Sequence, residues 1–215
     1  MNKSVAVIGL GRFGLAMAQE LEASGVDVLA IDKNPEVIAS AAETLRHAVK
    51  ADGTDAEVLK QLAVDQFTTA VVAIGGDLAA SILAASALIT LNGSKIWAKA
   101  SSPQQGEIFK QMGIDRIFYP ESDGGRRGAH LVAQSCEDYV DLGHGFALVI
   151  TNPADKYCHD TLGDLDVRRR EGFSIVAIRS DSGEWETAHA GTVLKPQDSI
   201  MVVAPTKVIA KVARR

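Results

Sequence analysis

The sequence has 215 residues, of which 47% are hydrophobic, and its formal net charge is -5 at pH 7. This length and apolar content allow a sizeable core and exclude wholesale disorder. The negative charge argues against a general nucleic-acid-binding protein. The two cysteines, Cys136 and Cys158, lack metal-ligand or redox spacing, so we expect reduced thiols in a cytoplasmic protein.

A glycine-rich turn follows the first predicted strand. The apolar, β-branched run at residues 5–8 predicts a strand buried on both faces. Gly9, Gly11 and Gly14 then have Gly-x-Gly-x-x-Gly spacing. In that motif the glycines permit a tight turn, let a phosphate approach the backbone and let the helix pack against the strand. Asp32 closes the second apolar run, where it suits ribose hydroxyls; a surface acid that caps a turn is the alternative.

Strands and helices alternate through the first 118 residues. The predicted strands are residues 5–8, 26–31, 47–51, 70–74, 95–100 and 116–119. A helical pattern follows each of the first five, and Thr54 heads the third helix with capping-box spacing to Glu57. Six strands interleaved with helices predict a Rossmann-like doubly wound parallel sheet. Ligands bind such sheets at the carboxyl ends of the strands, beside the first strand.

The pattern changes after Pro120. We predict a nucleotide-binding domain at residues 1–120, a connecting helix at 121–140 and a small α+β lobe at 141–215. Strand-like runs in the lobe are residues 146–151, 173–179, 187–193 and 199–204, and residues 181–184 predict a hairpin turn. Gly124 and Gly125 weaken the first turns of the connecting helix.

Other candidates for a nucleotide site lie at the strand ends. They are Lys33, Asn34, Asp52, Gly53, Thr54, Ile74 and Gly75. The Asp52–Thr54 segment follows the third strand on the side where an adenine would lie, but it equally suits a helix cap alone. Exposed turn residues are the alternative for Lys33 and Asn34.

Two cations are candidates for phosphate contacts. Arg12, followed by Phe13, opens the first helix and brings several donors to a polyphosphate. The alternative for Arg12 is a solvated residue, although a cation there opposes the helix dipole. Lys99 ends the fifth strand and either reaches phosphates or is a solvated lysine. The five histidines lack metal-ligand spacing and no tyrosine precedes a lysine by four residues, so we predict no catalytic residues.

These motifs resemble the RCK (regulator of conductance of potassium) family, and within it the cytosolic subunits of Ktr- and Trk-type potassium uptake systems. The matching stretches are residues 7–14, 31–34, 51–55, 98–100, 113–116 and 119–121, with 173–178 and 198–203 in the tail. The sequence departs from the family pattern at Ser101-Ser102 and at Gly124-Gly125.

The resemblance implies a nucleotide-sensing regulatory subunit rather than an enzyme. It implies a homodimer that assembles into an octameric ring on a membrane potassium translocator, at the inner face of the cell membrane. ATP or ADP is the implied ligand, with NAD(H) in Trk-like members and cyclic di-AMP in the C-terminal lobe of some relatives. Arg12 is implied at a dimer interface near the terminal phosphate of ATP, and Glu121 as a ligand of Mg²⁺ or Ca²⁺. A small NAD(P)-dependent oxidoreductase is the alternative, which the missing acid–base pair disfavours.

Overall fold

A computed structural model describes residues 3–133, 136–180 and 183–212. The chain divides into an N-terminal unit, residues 1–121, and a C-terminal unit, residues 122–215. The strands of the N-terminal unit are β1 (Ser4–Ile8), β2 (Asp27–Asp32), β3 (Ala48–Lys50), β4 (Thr69–Val72), β5 (Lys95–Lys99) and β6 (Arg116–Phe118). Its helices are α1 (Arg12–Ala23), α2 (Pro35–Ala41), α3 (Ala56–Gln61), α4 (Leu78–Leu91) and α5 (Pro103–Gln111), with a 3-10 turn at Val64–Gln66.

All six strands of this unit are parallel, in the order β3-β2-β1-β4-β5-β6. The end of β1 lies between its two neighbours, since Ile8 pairs with Ile31 of β2 and Val72 of β4. The chain proceeds outward from β1 in one direction and then returns to its other side at β4. This reversal is the switch point of a doubly wound sheet, so the predicted Rossmann-like fold is confirmed.

Hydrophobic cores cover both faces of the sheet, because neighbouring residues of a strand point to opposite sides. Val5 and Val7 of β1 pack with α1 and α2 residues, whereas Ala6 and Ile8 belong to the core formed with α3, α4 and α5. Each fully buried aliphatic side chain contributes about 1.5–3 kcal/mol of transfer free energy. A continuous apolar run in β1 is therefore explained by burial on both faces.

Polar side chains fix where the helices begin. The Asn34 side chain accepts a hydrogen bond from the Glu36 amide, and Pro35 occupies the first turn of α2. The prediction that Thr54 caps α3 was wrong. The cap is Asp55, whose carboxylate accepts hydrogen bonds from backbone amides of the first turn. Aspartate competes well for this position because it is short and negatively charged at the positive end of the helix.

The helix α4 is rich in alanine, leucine and serine, and one side of it is buried against the sheet. Ser81, Ala84, Ala85 and Leu88 are all buried there. Among the residues that the structure describes, no helix has both the length and the apolar character needed to span a membrane.

The C-terminal unit contains an antiparallel sheet in the order β10-β9-β11-β8-β7. Its strands are β7 (Asp138–Gly143), β8 (Phe146–Thr151), β9 (Ser174–Arg179), β10 (Trp185–Thr187) and β11 (Ser199–Pro205). The helices are α7 (Leu162–Leu165), α8 (Val167–Arg170) and α9 (Thr206–Val212), with a 3-10 turn at Asp155–Tyr157. The inner face of this sheet carries its own core, which includes Val149, Phe173 and Ile200.

Two predictions for this half of the chain were wrong in extent. The helix α6 (Pro120–Ala133) begins at the end of the N-terminal unit and is shorter than the predicted 121–140. The last three residues of that range, 138–140, belong to β7 instead, because the Tyr139 side chain is buried in the core of the C-terminal sheet. The predicted strand at 187–193 was wrong in all but its first residue: β10 ends at Thr187, and the rest is a loop with a turn and an isolated bridge at Val193. The predicted hairpin turn falls partly on residues 181 and 182, which lie outside the described residues.

Candidate functional site

The glycine-rich turn after β1 has the geometry that its spacing predicts. Gly9 has φ +94°, which glycine adopts without strain, and its amide donates a 2.8 Å hydrogen bond to the Ile31 carbonyl. A methyl group added at Gly14 would collide with the Gly9 carbonyl oxygen, so only glycine lets α1 pack this closely. A methyl group at Gly11 would meet nothing within 4 Å. The backbone at Gly11 therefore borders open space at the start of α1.

A cavity of about 250 Å³ lies at the switch point, beyond the carboxyl ends of β1 to β4. We call it the switch-point cavity. Nine predicted site residues line it: Gly9, Gly11, Asp32, Lys33, Asp52, Gly53, Thr54, Ile74 and Gly75. The remaining lining residues are Ile8, Ile31, Ala51, Ala73, Gly76, Asp77 and Ala80. A mostly apolar lining with a few polar groups is typical of small-molecule sites.

The Asp32 carboxylate is held by two backbone amides. Its Oδ2 accepts a 2.7 Å hydrogen bond from the Leu10 amide, and its Oδ1 accepts one of 2.8 Å from the Asn34 amide. Each carboxylate oxygen can accept a second hydrogen bond. The side chain is therefore fixed at the edge of the cavity and retains capacity for hydroxyl donors. The side chain of Asn34 caps α2 and is absent from the cavity lining.

Asp52 is oriented in a similar local way. Its Oδ1 accepts hydrogen bonds from the Thr54 amide at 3.0 Å and from the Thr54 hydroxyl at 2.7 Å. These bonds, first the amide and then the hydroxyl, lower the pKa of Asp52, and the Lys33 charge adds a smaller effect. Gly53 lies against Ile8, where a side chain would collide with a methyl group. The loop after β3 thus approaches β1 closely and presents an ionised carboxylate.

A more open cleft adjoins the cavity on the side of α1. This outer cleft has a volume of about 590 Å³. Its lining residues are Gly11, Arg12, Phe13, Ala73, Gly75, Gly76, Lys99, Pro120 and Glu121. Gly11, Gly75, Gly76 and Ala73 also line the switch-point cavity, so the two spaces share a wall.

Lys99 and Glu121 form an ion pair in the outer cleft, with 2.5 Å between Nζ and Oε1. The Lys99 residue is only 8% exposed, so the alternative of a solvated lysine was wrong. The Lys99 hydrogen bond holds the pKa of Glu121 below its ordinary value, and the charge of the exposed Arg12 lowers it slightly further. The cleft contains two cations and one carboxylate, which leaves a positive balance suited to an anion.

Gly75 makes room for this ion pair. A methyl group added at Gly75 would lie 2.6 Å from the Lys99 ammonium nitrogen. The Lys99 ammonium also lies 6.0 Å from the centre of the Phe13 ring, at the margin of a cation–π contact. These neighbours confine the Lys99 side chain to the cleft wall.

Asp77, which was not predicted as a site residue, lines the cavity and caps α4 by accepting a 3.0 Å hydrogen bond from the Ala80 amide. The signal was an acid after two glycines and before an apolar helix. The predicted metal ligand Glu121 has the Lys99 ammonium as its partner. Among the described residues, no group of three or more His, Cys, Asp or Glu side chains is arranged to hold a metal ion.

The parallel sheet, the glycine turn and the acid at the end of β2 define a Rossmann-type domain with a small-molecule cavity at its switch point. Residues 5–120 match the model of the TrkA-N domain, and residues 146–215 match that of the TrkA-C domain. The chain therefore belongs to the TrkA family of RCK proteins, and the predicted family is confirmed.

Two relatives match almost from end to end. The chain is 34% identical to Ktr system potassium uptake protein C of Bacillus subtilis, covering 100% of this chain and 98% of the relative. It is 33% identical to Ktr system potassium uptake protein A of Vibrio alginolyticus, covering 97% and 96%. Both relatives are potassium uptake proteins by name, which favours the regulatory subunit over the oxidoreductase among the two predicted classes.

Solved structures of the GsuK channel share the fold. The GsuK RCK domain has a TM-score of 0.69 at 17% identity and covers 100% of this chain, which spans about half (48%) of that chain. The GsuK channel bound to NAD has a TM-score of 0.68 at 18% identity, covering 99% of this chain and 39% of that one. GsuK bound to ADP has a TM-score of 0.51 at 16% identity, covering 62% and 36%.

Proposed function

We propose that this chain is the nucleotide-sensing regulatory subunit of a Ktr- or Trk-type potassium uptake system. The observation that carries the proposal is that the switch-point cavity and the outer cleft adjoin each other in a chain of this family. The cavity has oriented carboxylates, and the more open cleft has a positive balance of charge. A nucleotide has two parts of matching chemistry, a nucleoside with hydroxyl donors and a chain of phosphates.

The nucleoside belongs in the switch-point cavity. Asp32, fixed by two backbone amides, accepts hydrogen bonds from the ribose hydroxyls, and the apolar lining accommodates adenine near the Asp52 loop. The phosphates then pass the glycine turn, where the free amides at the start of α1 favour negative charge. Their far end reaches Lys99 and Arg12 in the outer cleft.

ATP and ADP are the proposed ligands, and NAD(H) is the second choice. GsuK structures that share the fold are bound to NAD or to ADP, and both ligands contain an adenosine diphosphate. ATP and ADP differ only in the terminal phosphate. Arg12 is exposed and can meet that phosphate, and a contact that Arg12 makes in only one of two conformations gives ATP the differential affinity that a switch requires.

A divalent cation fits this site only together with phosphate oxygens. Glu121 is a single carboxylate paired with Lys99, and Mg²⁺ sites of one or two carboxylates plus phosphates are common. Glu121 is the residue that would hold Mg²⁺ or Ca²⁺ when ATP is bound. The cation would neutralise phosphate charge at the start of α6.

Nucleotide binding would reach the translocator through an assembly of several copies of the chain. We propose that the chain forms a homodimer, that dimers form an octameric ring, and that the ring contacts a membrane potassium translocator from the cytoplasmic side. The Ktr names of its relatives support a membrane partner. Cyclic di-AMP in the C-terminal unit remains a property that the family resemblance implies.

The test is nucleotide-dependent thermal unfolding of the purified chain with ATP, ADP and NADH at equal concentrations. A ligand present at a hundred times its Kd stabilises the folded state by about 2.7 kcal/mol. We expect ATP and ADP to raise Tm more than NADH does. A clear preference for NADH would revive the oxidoreductase, and no shift with any of the three would contradict the proposed function.

A further inference from the structure

A buried amide side chain lies behind the outer cleft. Gln105, in the first turn of α5, is only 3% exposed. Its Nε2 donates a 3.1 Å hydrogen bond to the Ser81 hydroxyl of α4, and its Oε1 accepts one of 2.8 Å from the Ser101 amide. The side chain therefore joins α4 to the loop that follows β5.

The same network continues to the wall shared by the cavity and the cleft. The Ser101 hydroxyl donates a 3.2 Å hydrogen bond to the Gly75 carbonyl. Gly75 lies in the loop between β4 and α4. At the far end of that loop, Asp77 caps α4, the helix that carries Ser81. The segment from Gly75 to Asp77 is thus held at one end by Ser101 and at the other by α4, and Gln105 connects these two supports.

An apolar side chain would fill the same space at a lower cost. A buried primary amide is unfavourable unless its donors and its acceptor are bonded. At Gln105 the donated bond ends on the Ser81 hydroxyl of α4, and the accepted bond comes from the Ser101 amide, whose own hydroxyl bonds the Gly75 carbonyl. Because these hydrogen bonds lead to Gly75 in the wall of the site, we assign the Gln105 amide a role there in addition to packing in the core.

We propose that Gln105 is a positioning residue for the nucleotide site, acting through Ser101 to fix the Gly75 backbone against the Lys99 ammonium. The inference rests on the proposed function. The fit is tight, because a methyl group at Gly75 would lie 2.6 Å from Lys99 Nζ. A shift of Gly75 therefore changes where Lys99 sits. Gly75 lines both spaces, but Lys99 lines only the outer cleft, so the change that Lys99 transmits falls on the phosphates beyond the first.

The experiment measures the Kd of AMP and of ADP by calorimetry for the full chain and its variants. Ser101→Ala removes one hydroxyl from an exposed residue, so we expect it to fold. It should weaken the affinity for ADP about fivefold, which corresponds to one hydrogen bond, and leave the affinity for AMP nearly unchanged. Gln105→Met should shift the ADP-to-AMP ratio in the same direction, because it removes both ends of the link.

Two controls separate positioning from general destabilisation. Ser101→Thr keeps the hydroxyl and should keep the parental ADP-to-AMP ratio. Ser86→Ala removes an exposed serine hydroxyl from α4 outside the network and should also keep it. A parental ratio in Ser101→Ala or in a folded Gln105→Met, or an equal loss of affinity for both nucleotides, would overturn the role of Gln105. A parent chain that binds neither nucleotide would overturn the proposed function and this inference with it.

Discussion

The switch-point cavity and the outer cleft position their charged groups in different ways. In the cavity, the carboxylates of Asp32 and Asp52 are held mainly by backbone amides, those of Leu10, Asn34 and Thr54. In the cleft, Lys99 is held by another side chain, the carboxylate of Glu121. The cavity is therefore organised by the backbone of its turns, whereas the cleft is organised by an ion pair that an incoming anion competes with. The nucleoside pocket is preformed, whereas in the phosphate pocket Lys99 can exchange Glu121 for a phosphate. This arrangement suits a sensor.

The largest effect is expected from the cavity. Asp32→Ala should weaken ATP, ADP and AMP alike by about 1.5–3 kcal/mol, since it removes hydrogen bonds to a charged group that all three nucleotides share. Calorimetry measures the three affinities. Asp27→Ala, an exposed acid at the start of the same strand, is the matched control and should bind like the parent. Unchanged nucleotide affinities in Asp32→Ala would show that Asp32 does not bind the ribose.

Arg12→Ala should separate ATP from ADP. The variant should keep near-parental ADP affinity and lose about 1 kcal/mol of ATP affinity, because an exposed charge is partly screened. It should also fail to stimulate potassium flux through a reconstituted translocator in ATP. An equal loss for both nucleotides would make Arg12 a shared phosphate ligand. If flux through the translocator still differs between ATP and ADP, a residue other than Arg12 discriminates the two nucleotides. Lys99 is then the next residue to substitute.

Glu121→Gln should reduce the dependence of ATP binding on Mg²⁺ or Ca²⁺ and retain nucleotide binding without the cation, somewhat strengthened because Lys99 loses the carboxylate that competes with phosphates. An amide oxygen is a poorer ligand for a hard cation than a carboxylate. We expect the stabilisation that the cation adds to the ATP-bound chain to fall by about 1 kcal/mol, the order of one charged contact. Equal cation effects in parent and variant would leave Glu121 as the partner of Lys99 alone.

The smallest effect concerns pH. The ion pair holds the pKa of Glu121 below its ordinary value of 4.5, so it stabilises the folded chain above that value. This contribution is lost as the pH falls through the lowered pKa. Because Glu121 is exposed, its worth is less than about 1 kcal/mol. In Lys99→Met, NMR titration should find the Glu121 pKa raised towards 4.5; a Glu121 pKa that stays at the parental value would contradict the pairing.

The same contrast explains what could be predicted from sequence. The parallel sheet, the glycine turn and Asp32 follow from local signals, namely apolar runs, residue spacing and the ends of strands. Thr54 was predicted as a cap and Asp77 was missed, because neighbouring residues compete for capping positions in ways that depend on the folded loop. The Lys99–Glu121 pair and the Gln105–Ser81 bond join segments more than 20 positions apart. No local pattern predicts such contacts.

The extent of the elements in the C-terminal unit shows the same limit. The predicted helix at 121–140 contains the start of β7, where tertiary burial of Tyr139 prevailed over a helical pattern. Strand β8 was predicted with its observed bounds because residues 146–150 form an uninterrupted apolar run, which the folded sheet divides between its core and its outer face. The apolar run could be recognised in the sequence, whereas the pairing partner of β7 could not.

The most direct test of the account is an experimental structure of the chain with ADP bound. We predict the ribose hydroxyls on the Asp32 carboxylate, the adenine in the switch-point cavity beside the Asp52 loop, and the second phosphate near Lys99 with the Lys99–Glu121 bond lengthened or broken. An adenosine bound outside the cavity, or phosphates directed away from Lys99 while its pair with Glu121 stays intact, would contradict the account.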